Sequence, residues 1–375
     1  MSMPLPAPAA SDTPDAWHAL ATPLSLRLAE DDYGVQAGAA QVGSGRMADG
    51  FLAPLPDLGL LNVSGADALR FLHGQLTNDV EGLAQGQARW FGYCTAKGRL
   101  LSVFLGWRED EAVALSVARP MAAALARRLS MYVLRAKARV ADVSGERVLF
   151  GLGGRGAPAA LERLGLAAPV PMEVVRAGAA TVIALPPVQL AGGDCPRWLL
   201  ALPAHEAAAA WQRLMAEDLG LAAVSSEAWR WTEILAGVPR LVAATAEQFV
   251  PQMLNLDLSG GVSFTKGCYP GQEIVARTHY LGKQRRRMHL GRVLGEAPAP
   301  GSDVLDAAGQ PVGRVVVAAA APDGGAALLY EAQLAAVAGG PLSVLGASGA
   351  SGATGATAPT AATIEPGELP YALPS

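Results

Sequence analysis

A chain of 375 residues, 51% hydrophobic and 17% charged, has material for two or three packed units. Its net charge of −4 excludes nucleic-acid binding through a globally basic surface and leaves only a local basic patch for that purpose. Three cysteines, Cys94, Cys195 and Cys268, form no CxxC pair and no zinc-ligand spacing. That usage fits a reducing compartment better than a disulfide framework.

The first 50 residues are rich in Ala, Pro and Gly and read as a loose arm, with a strand near 34–41. They show neither a basic n-region nor an uninterrupted apolar core, so no signal peptide is expected. No run approaches about 18 unbroken apolar residues, so no membrane span is expected, and the expected location is the cytoplasm. Residues 58–63 form a strand candidate. Ser64 is placed to cap a helix over 66–72, with Asp67 in its first turn and His73-Gly74 as its stop. His73 reads as a polar helix end, since no partner stands at metal-ligand spacing. Residues 89–93 and 100–107 read as paired strands around a Lys97-Gly98 turn. An amphipathic helix follows over 120–132, with Leu125, Leu129 and Tyr132 on one face and Arg127 and Arg128 opposite.

Residues 151–156, GLGGRG, satisfy GxGxxG after a strand at 148–150. A dinucleotide site also wants an acid ending the next strand. Glu173 precedes its apolar run, and 181–185 runs into Pro186-Pro187, so that reading is rejected. A helix is expected over 205–219. Ser225 or Ser226 caps the next one, which carries Trp229, Arg230, Trp231 and Glu233 and stops at Gly237. Trp229 and Glu233 share a face, and Arg230 can pair with Glu233. The tryptophans suit either a platform for a heterocycle or core filler. Lys283 and Arg285-Arg286-Arg287 read as a solvated edge or as a contact for RNA or polyglutamate. Residues 288–335 show the short β runs of a small barrel, with turns at 306–309 and 323–325. Residues 346–362 are a low-complexity linker, after which Leu369-Pro370-Tyr371 is placed to dock back. The irregular alternation of elements implies an α+β chain rather than a doubly wound sheet.

Residues 260–283 read GGVSFTKGCYPGQEIVARTHYLGK. Val262-Ser263-Phe264 is a short β-type run. Lys266-Gly267-Cys268-Tyr269-Pro270-Gly271 then breaks it, and a second element starts at Gln272-Glu273. Such a loop can hold a reactive thiol beside a cation, which favours thiolate. It can equally be a tight turn whose cysteine packs as a small apolar group.

Lys266 to Glu273 resembles the signature of the YgfZ family of folate-binding proteins, relatives of the aminomethyltransferase (T protein) of the glycine cleavage system. The similarity extends through Gln248 to Gln252, Asn255-Leu256, Glu273 to Arg277 and Gly282-Lys283. It includes Gly74-Gln75-Leu76-Thr77-Asn78-Asp79-Val80, Tyr93-Cys94 and Lys97-Gly98-Arg99, and covers roughly residues 50–340. The resemblance implies a three-domain cloverleaf around a folate-sized opening. Its parts would be an arm over 1–50, ferredoxin-like α+β units over 51–147 and 148–284, a β-barrel over 285–345, and a linker and tail over 346–375. It implies binding of tetrahydrofolate and a role in assembling or repairing iron–sulfur clusters, with client enzymes that include radical tRNA-modifying ones. Cys268 and Lys266 would be the reactive groups. Trp229, Tyr93, Tyr269, Gly271, Gln272, Glu273 and Arg277 would contact folate, and no resident metal is expected. One departure matters. Where T proteins carry an aspartate pair, this chain has Leu101 and Ser102, neither able to act as acid or base at neutral pH. Aminomethyl or other one-carbon transfer therefore stands as an alternative. A scaffold binding RNA or protein through Arg285–Arg287, with Cys268 dispensable, is a further one.

Overall fold

The computed structural model describes residues 16–39, 41–280, 284–345 and 361–374. The expectations for the start of the arm, for Gly282-Lys283 and for most of the low-complexity linker lie outside these residues. Two antiparallel sheets and a closed barrel make up the fold. The first sheet has five strands in the order Ala88–Cys94, Leu100–Glu109, Ala112–Ala118, Leu58–Ser64, Arg139–Asp142. The second has six, Val174–Ala177, Ala180–Leu190, Gly193–Pro203, Arg147–Gly153, Phe51–Pro54 and Ala222–Ala223, with only the last pair parallel.

The sheets interleave in sequence. Phe51–Pro54 joins the second sheet beside Arg147–Gly153 before the chain enters the first, so a clean division at residue 147 does not hold. The GxGxxG stretch owes its glycines to packing. A Cβ on Gly151 would overlap the indole of Trp229, one on Gly153 would overlap the ring of Phe51, and Gly154 has φ +87°. No phosphate cradle is needed to explain them.

The barrel runs Arg286–Val293, Ala326–Gln333, Pro311–Ala320, Asp303–Leu305, Leu342–Leu345, Ala361–Gly367 and back to the first. Its closing strand thus comes from beyond residue 345, where the sequence shows only linker and tail. Ala361–Gly367 is short and carries one buried side chain, Ile364, too few to declare a strand by pattern. The tail, expected against the barrel, docks at the end of the Ser226–Leu235 helix. The Tyr371 hydroxyl donates to Gly237 O at 3.2 Å.

Three helix readings change. Ser64 ends a strand, Gly65 turns the chain at φ +109°, and the helix spans Ala68–His73. The segment 205–219 divides into the Ala207–Leu214 helix flanked by short 3-10 turns. Arg128, expected on the exposed face of Arg119–Met131, is buried beneath the Tyr132 ring, 5.9 Å from its centroid. Among the described residues no helix is long and apolar enough to cross a membrane.

Candidate functional site

Two neighbouring places hold the side chains singled out by the sequence. The first is the motif loop. Its run Val262-Ser263-Phe264 is not a strand; one backbone bond, Ser263 N–H to Thr77 O at 3.0 Å, joins it to its neighbour. Side chains replace the missing ladder. Thr77 Oγ1 donates to Gly261 O at 2.6 Å, and Asn78 Nδ2 donates to Gly260 O at 2.7 Å and to Trp90 O at 3.0 Å. Gly271 sits at φ +82°, where a Cβ would lie 2.6 Å from Gly98 Cα and overlap Thr95 O. So GQLTNDV, the Lys97-Gly98 turn and the cysteine motif, distant in sequence, form one packed unit.

Lys266 fastens that unit to the end of the Ala68–His73 helix. Its Nζ donates to His73 O and to Leu76 O at 2.8 Å and stands 4.8 Å from the Tyr269 ring centroid. Helix-end carbonyls are natural partners for an ammonium group. The lysine's donors thus go to carbonyls. Burial pushes Lys266 down to about 8, partly offset by the charges of Asp79, Cys268 and Glu81. Cys268 is exposed, whereas Cys94 and Cys195 are buried. Burial pushes the Cys94 thiol far up and the Cys195 thiol up to about 11, although Arg197 opposes the second shift.

The remaining motif residues follow along the loop and the helix after it. Tyr269 is buried beneath Lys266, and burial pushes its phenol up. Gln272 and Glu273 open the Gln272–Tyr280 helix, half-buried and exposed respectively, and Arg277 is exposed further along it. His73 Nδ1 lies 3.1 Å from Asp79 Oδ1 and 3.8 Å from Glu81 Oε2. Among the described residues no cluster of His, Cys, Asp and Glu is placed to hold a metal ion.

The second place is a cleft between the two sheets, lined by Trp90, Leu105, Leu185, Leu199, Glu233 and Arg240. Only about 40 Å³ of it is wide enough for water. Of the residues expected against folate, Trp229 and Tyr93 do not reach it. Trp229 is fully buried against Gly151, with Arg197 5.4 Å from its ring centroid. Tyr93 is three residues from Trp90 on one strand, so strand alternation turns it to the opposite face. There it packs on Phe104, and burial pushes its phenol up to about 12.

Trp90, Glu233 and Arg240, which do line the cleft, were not among the candidate site residues. Trp229 acts on the cleft indirectly, since its Nε1 donates to Glu233 Oε1 at 3.1 Å. Glu233 Oε2 in turn accepts from Arg240, which also pairs with buried Asp57. The expected Arg230–Glu233 pair is absent. Arg230 faces the other way, 2.9 Å from Asp31, 3.5 Å from Asp57 and 3.9 Å above the Tyr33 ring. Leu101 and Ser102 are both buried. The basic triplet is largely spent: Arg286 pairs with Glu331, and Arg287 is buried on Asp257 at 2.6 Å.

No family model matches the chain. The tRNA-modifying protein YgfZ of Colwellia psychrerythraea is 31% identical over 257 residues, which span 68% of this chain and 76% of that protein. The fold matches the glycine cleavage system aminomethyltransferase T of Bartonella henselae with a TM-score of 0.75 at 17% identity, covering 95% and 96% of the two chains. At that identity the second likeness establishes the fold alone, a T-protein-like arrangement of two α+β units and a barrel.

Proposed function

Because this chain belongs to the YgfZ family of tRNA-modifying proteins, we propose that it is a folate-dependent accessory factor that maintains iron–sulfur clusters. Its clients would be cytoplasmic iron–sulfur enzymes, among them radical enzymes that modify tRNA. The observation that carries this reading is the convergence of three separated sequence stretches on a loop that presents one exposed thiol. A thiol so placed can hold iron transiently or attack an electrophile, and its two buried counterparts cannot.

The cleft chemistry fits tetrahydrofolate. Trp90 would supply a stacking face, Glu233 retains free acceptor positions for ring N–H groups, and Arg240 is a nearby cation. Small-molecule sites usually measure about 300–1,000 Å³. The cleft, with about 40 Å³ open to water, is far smaller, so tetrahydrofolate would enter only if Trp90, Glu233 and their neighbours part. Bound tetrahydrofolate would supply a reduced pterin able to carry one-carbon units. Aminomethyl transfer is disfavoured, because buried Leu101 and Ser102 offer no carboxylate where a general acid or base typically contributes about 10²–10⁴-fold.

Calorimetric titration with tetrahydrofolate tests the ligand assignment. Wild type should bind, Trp90→Ala should bind at least severalfold more weakly, and Tyr93→Phe should match wild type. Absence of binding heat at several temperatures, or an unaffected Trp90→Ala, contradicts it.

A further inference from the structure

The basic triplet at 285–287 does not leave the chain without a cationic surface. Residues 119–141 contain six cations and no acid in a chain of net charge −4. Within it, Arg127, Arg135, Lys137 and Arg139 are exposed, as is Arg70 on the adjoining Ala68–His73 helix. None of the five has an ion-pair partner among the described residues, unlike Arg286 and Arg287.

The same segment carries three of the eight large apolar side chains left exposed among the described residues: Met131, Tyr132 and Leu134, the last 87% exposed. Leu134 is held outward at φ +47°, a conformation that costs energy for a non-glycine residue and so calls for a reason.

From 135 to 140 exposure alternates strictly, with Arg135, Lys137 and Arg139 out and 136, 138 and 140 turned in. The chain turns over 132–137 and becomes a strand only at Arg139, so these charges cluster at the turn that follows the Arg119–Met131 helix. A cluster of cations without ion-pair partners among the described residues suits the closely spaced charges of a polyanion. Beside it, the Tyr132 ring is 43% exposed and backed by the Arg128 guanidinium. A cationic track with an aromatic face is how single-stranded nucleic acid is gripped without reading its sequence.

We infer that this surface docks the phosphate backbone of single-stranded or looped RNA. A folded acidic protein offers no base to stack on the exposed Tyr132 ring. An anionic membrane would have to face much more of an acidic molecule than this narrow stripe.

The stripe also leads to the thiol. Lys137 N–H donates to Asp67 Oδ2 at 2.7 Å, and Asp67 N–H donates to Lys137 O at 3.1 Å, at one end of the Ala68–His73 helix. Lys266 and Gly267 meet the other end. Six helical residues span about 9 Å, so a strand crossing Arg70 would arrive beside Cys268. Asp67 is already bonded to Lys137, and Asp79 is engaged by His73 and Arg89, which reduces their repulsion of a polyanion.

The inference is independent of folate. Fluorescence anisotropy with the full-length protein, a labelled tRNA transcript and a labelled single-stranded oligonucleotide, each across a potassium chloride series, tests it. Wild type should bind both. Arg135→Ala/Lys137→Ala/Arg139→Ala should bind at least tenfold more weakly at low salt with an unchanged melting temperature. Its salt slope on the oligonucleotide should be smaller by about 2, three contacts at about 0.7 each. Bound RNA should also slow alkylation of Cys268. Arg285→Ala should behave as wild type. Failure to bind either probe at low salt overturns the inference. So does a triple variant with unchanged affinity and slope, or binding lost in Arg285→Ala instead. Capture of the protein by phosphatidylserine vesicles without RNA binding would assign the stripe to membranes and equally overturn it.

Discussion

Lys266 is a charged residue used as a fastener, and its acid–base behaviour can be followed. Its folded value is about 8 because of burial, against an ordinary value of 10.5. Between those values the unfolded chain holds the proton and the folded chain has released it, so the unfolded state binds more protons and stability rises with pH. Denaturant melts from pH 8 to 10 should therefore show wild type gaining on Lys266→Met; parallel curves would remove the burial effect. The thiols differ as sharply. Iodoacetamide should modify Cys268 in the folded protein well before Cys94 or Cys195, which are buried and shifted up. The motif stood out in the sequence through its family resemblance, since Lys266-Gly267-Cys268 taken as residue types could equally form a tight turn. The lysine's target was not legible. It bonds carbonyls of a helix some 190 residues earlier, and backbone acceptors leave no mark in a sequence.

At the scale of elements, the Ser226–Leu235 helix shows how pattern and packing diverge. Its cap and stop were legible: Ser225 Oγ accepts from Ala228 N–H at 3.1 Å, and Gly237 has φ +67°. Which side of the helix meets ligand was not legible, because tryptophan suits a core as well as a stacking platform. Trp229→Ala should cost about 3–5 kcal/mol of stability as a large-to-small core change. Gly151→Ala should cost about 1–3 kcal/mol by pressing on the same ring. Chemical denaturation measures both, and a neutral result for either would place the indole elsewhere. The strand Ala88–Cys94 hides its faces for a related reason. Trp90, Phe91 and Tyr93 are all aromatic, so no polar alternation distinguishes the cleft side from the core side.

Across the whole molecule, the parts are tied by buried charge as well as by apolar packing. Asp57, with no solvent exposure, accepts from Arg240 at the cleft and lies 3.5 Å from Arg230. Arg230 reaches Asp31 in the Arg27–Asp31 and Gly34–Gly38 hairpin, whose Tyr33 hydroxyl accepts from Ala318 N–H in the barrel at 2.8 Å. Asp57→Ala would remove the carboxylate shared by two buried arginines, leaving Arg240 with Glu233 and Arg230 with Asp31, and should cost about 3 kcal/mol. A loss below 1 kcal/mol would show that the network does not couple the units. The α+β class and the barrel were legible from short β runs punctuated by glycine and proline. The barrel's final strand and the strand exchange at Phe51–Pro54 were not, because pairing between segments that are not adjacent in the chain is set by tertiary fit. The central claim is that the packed motif unit exists to present Cys268. Its most direct measurement is tRNA methylthiolation in cells lacking the protein and supplied with wild type or Cys268→Ser. The account predicts activity near the uncomplemented level for Cys268→Ser with an unchanged melting temperature, and full restoration by that variant would contradict it.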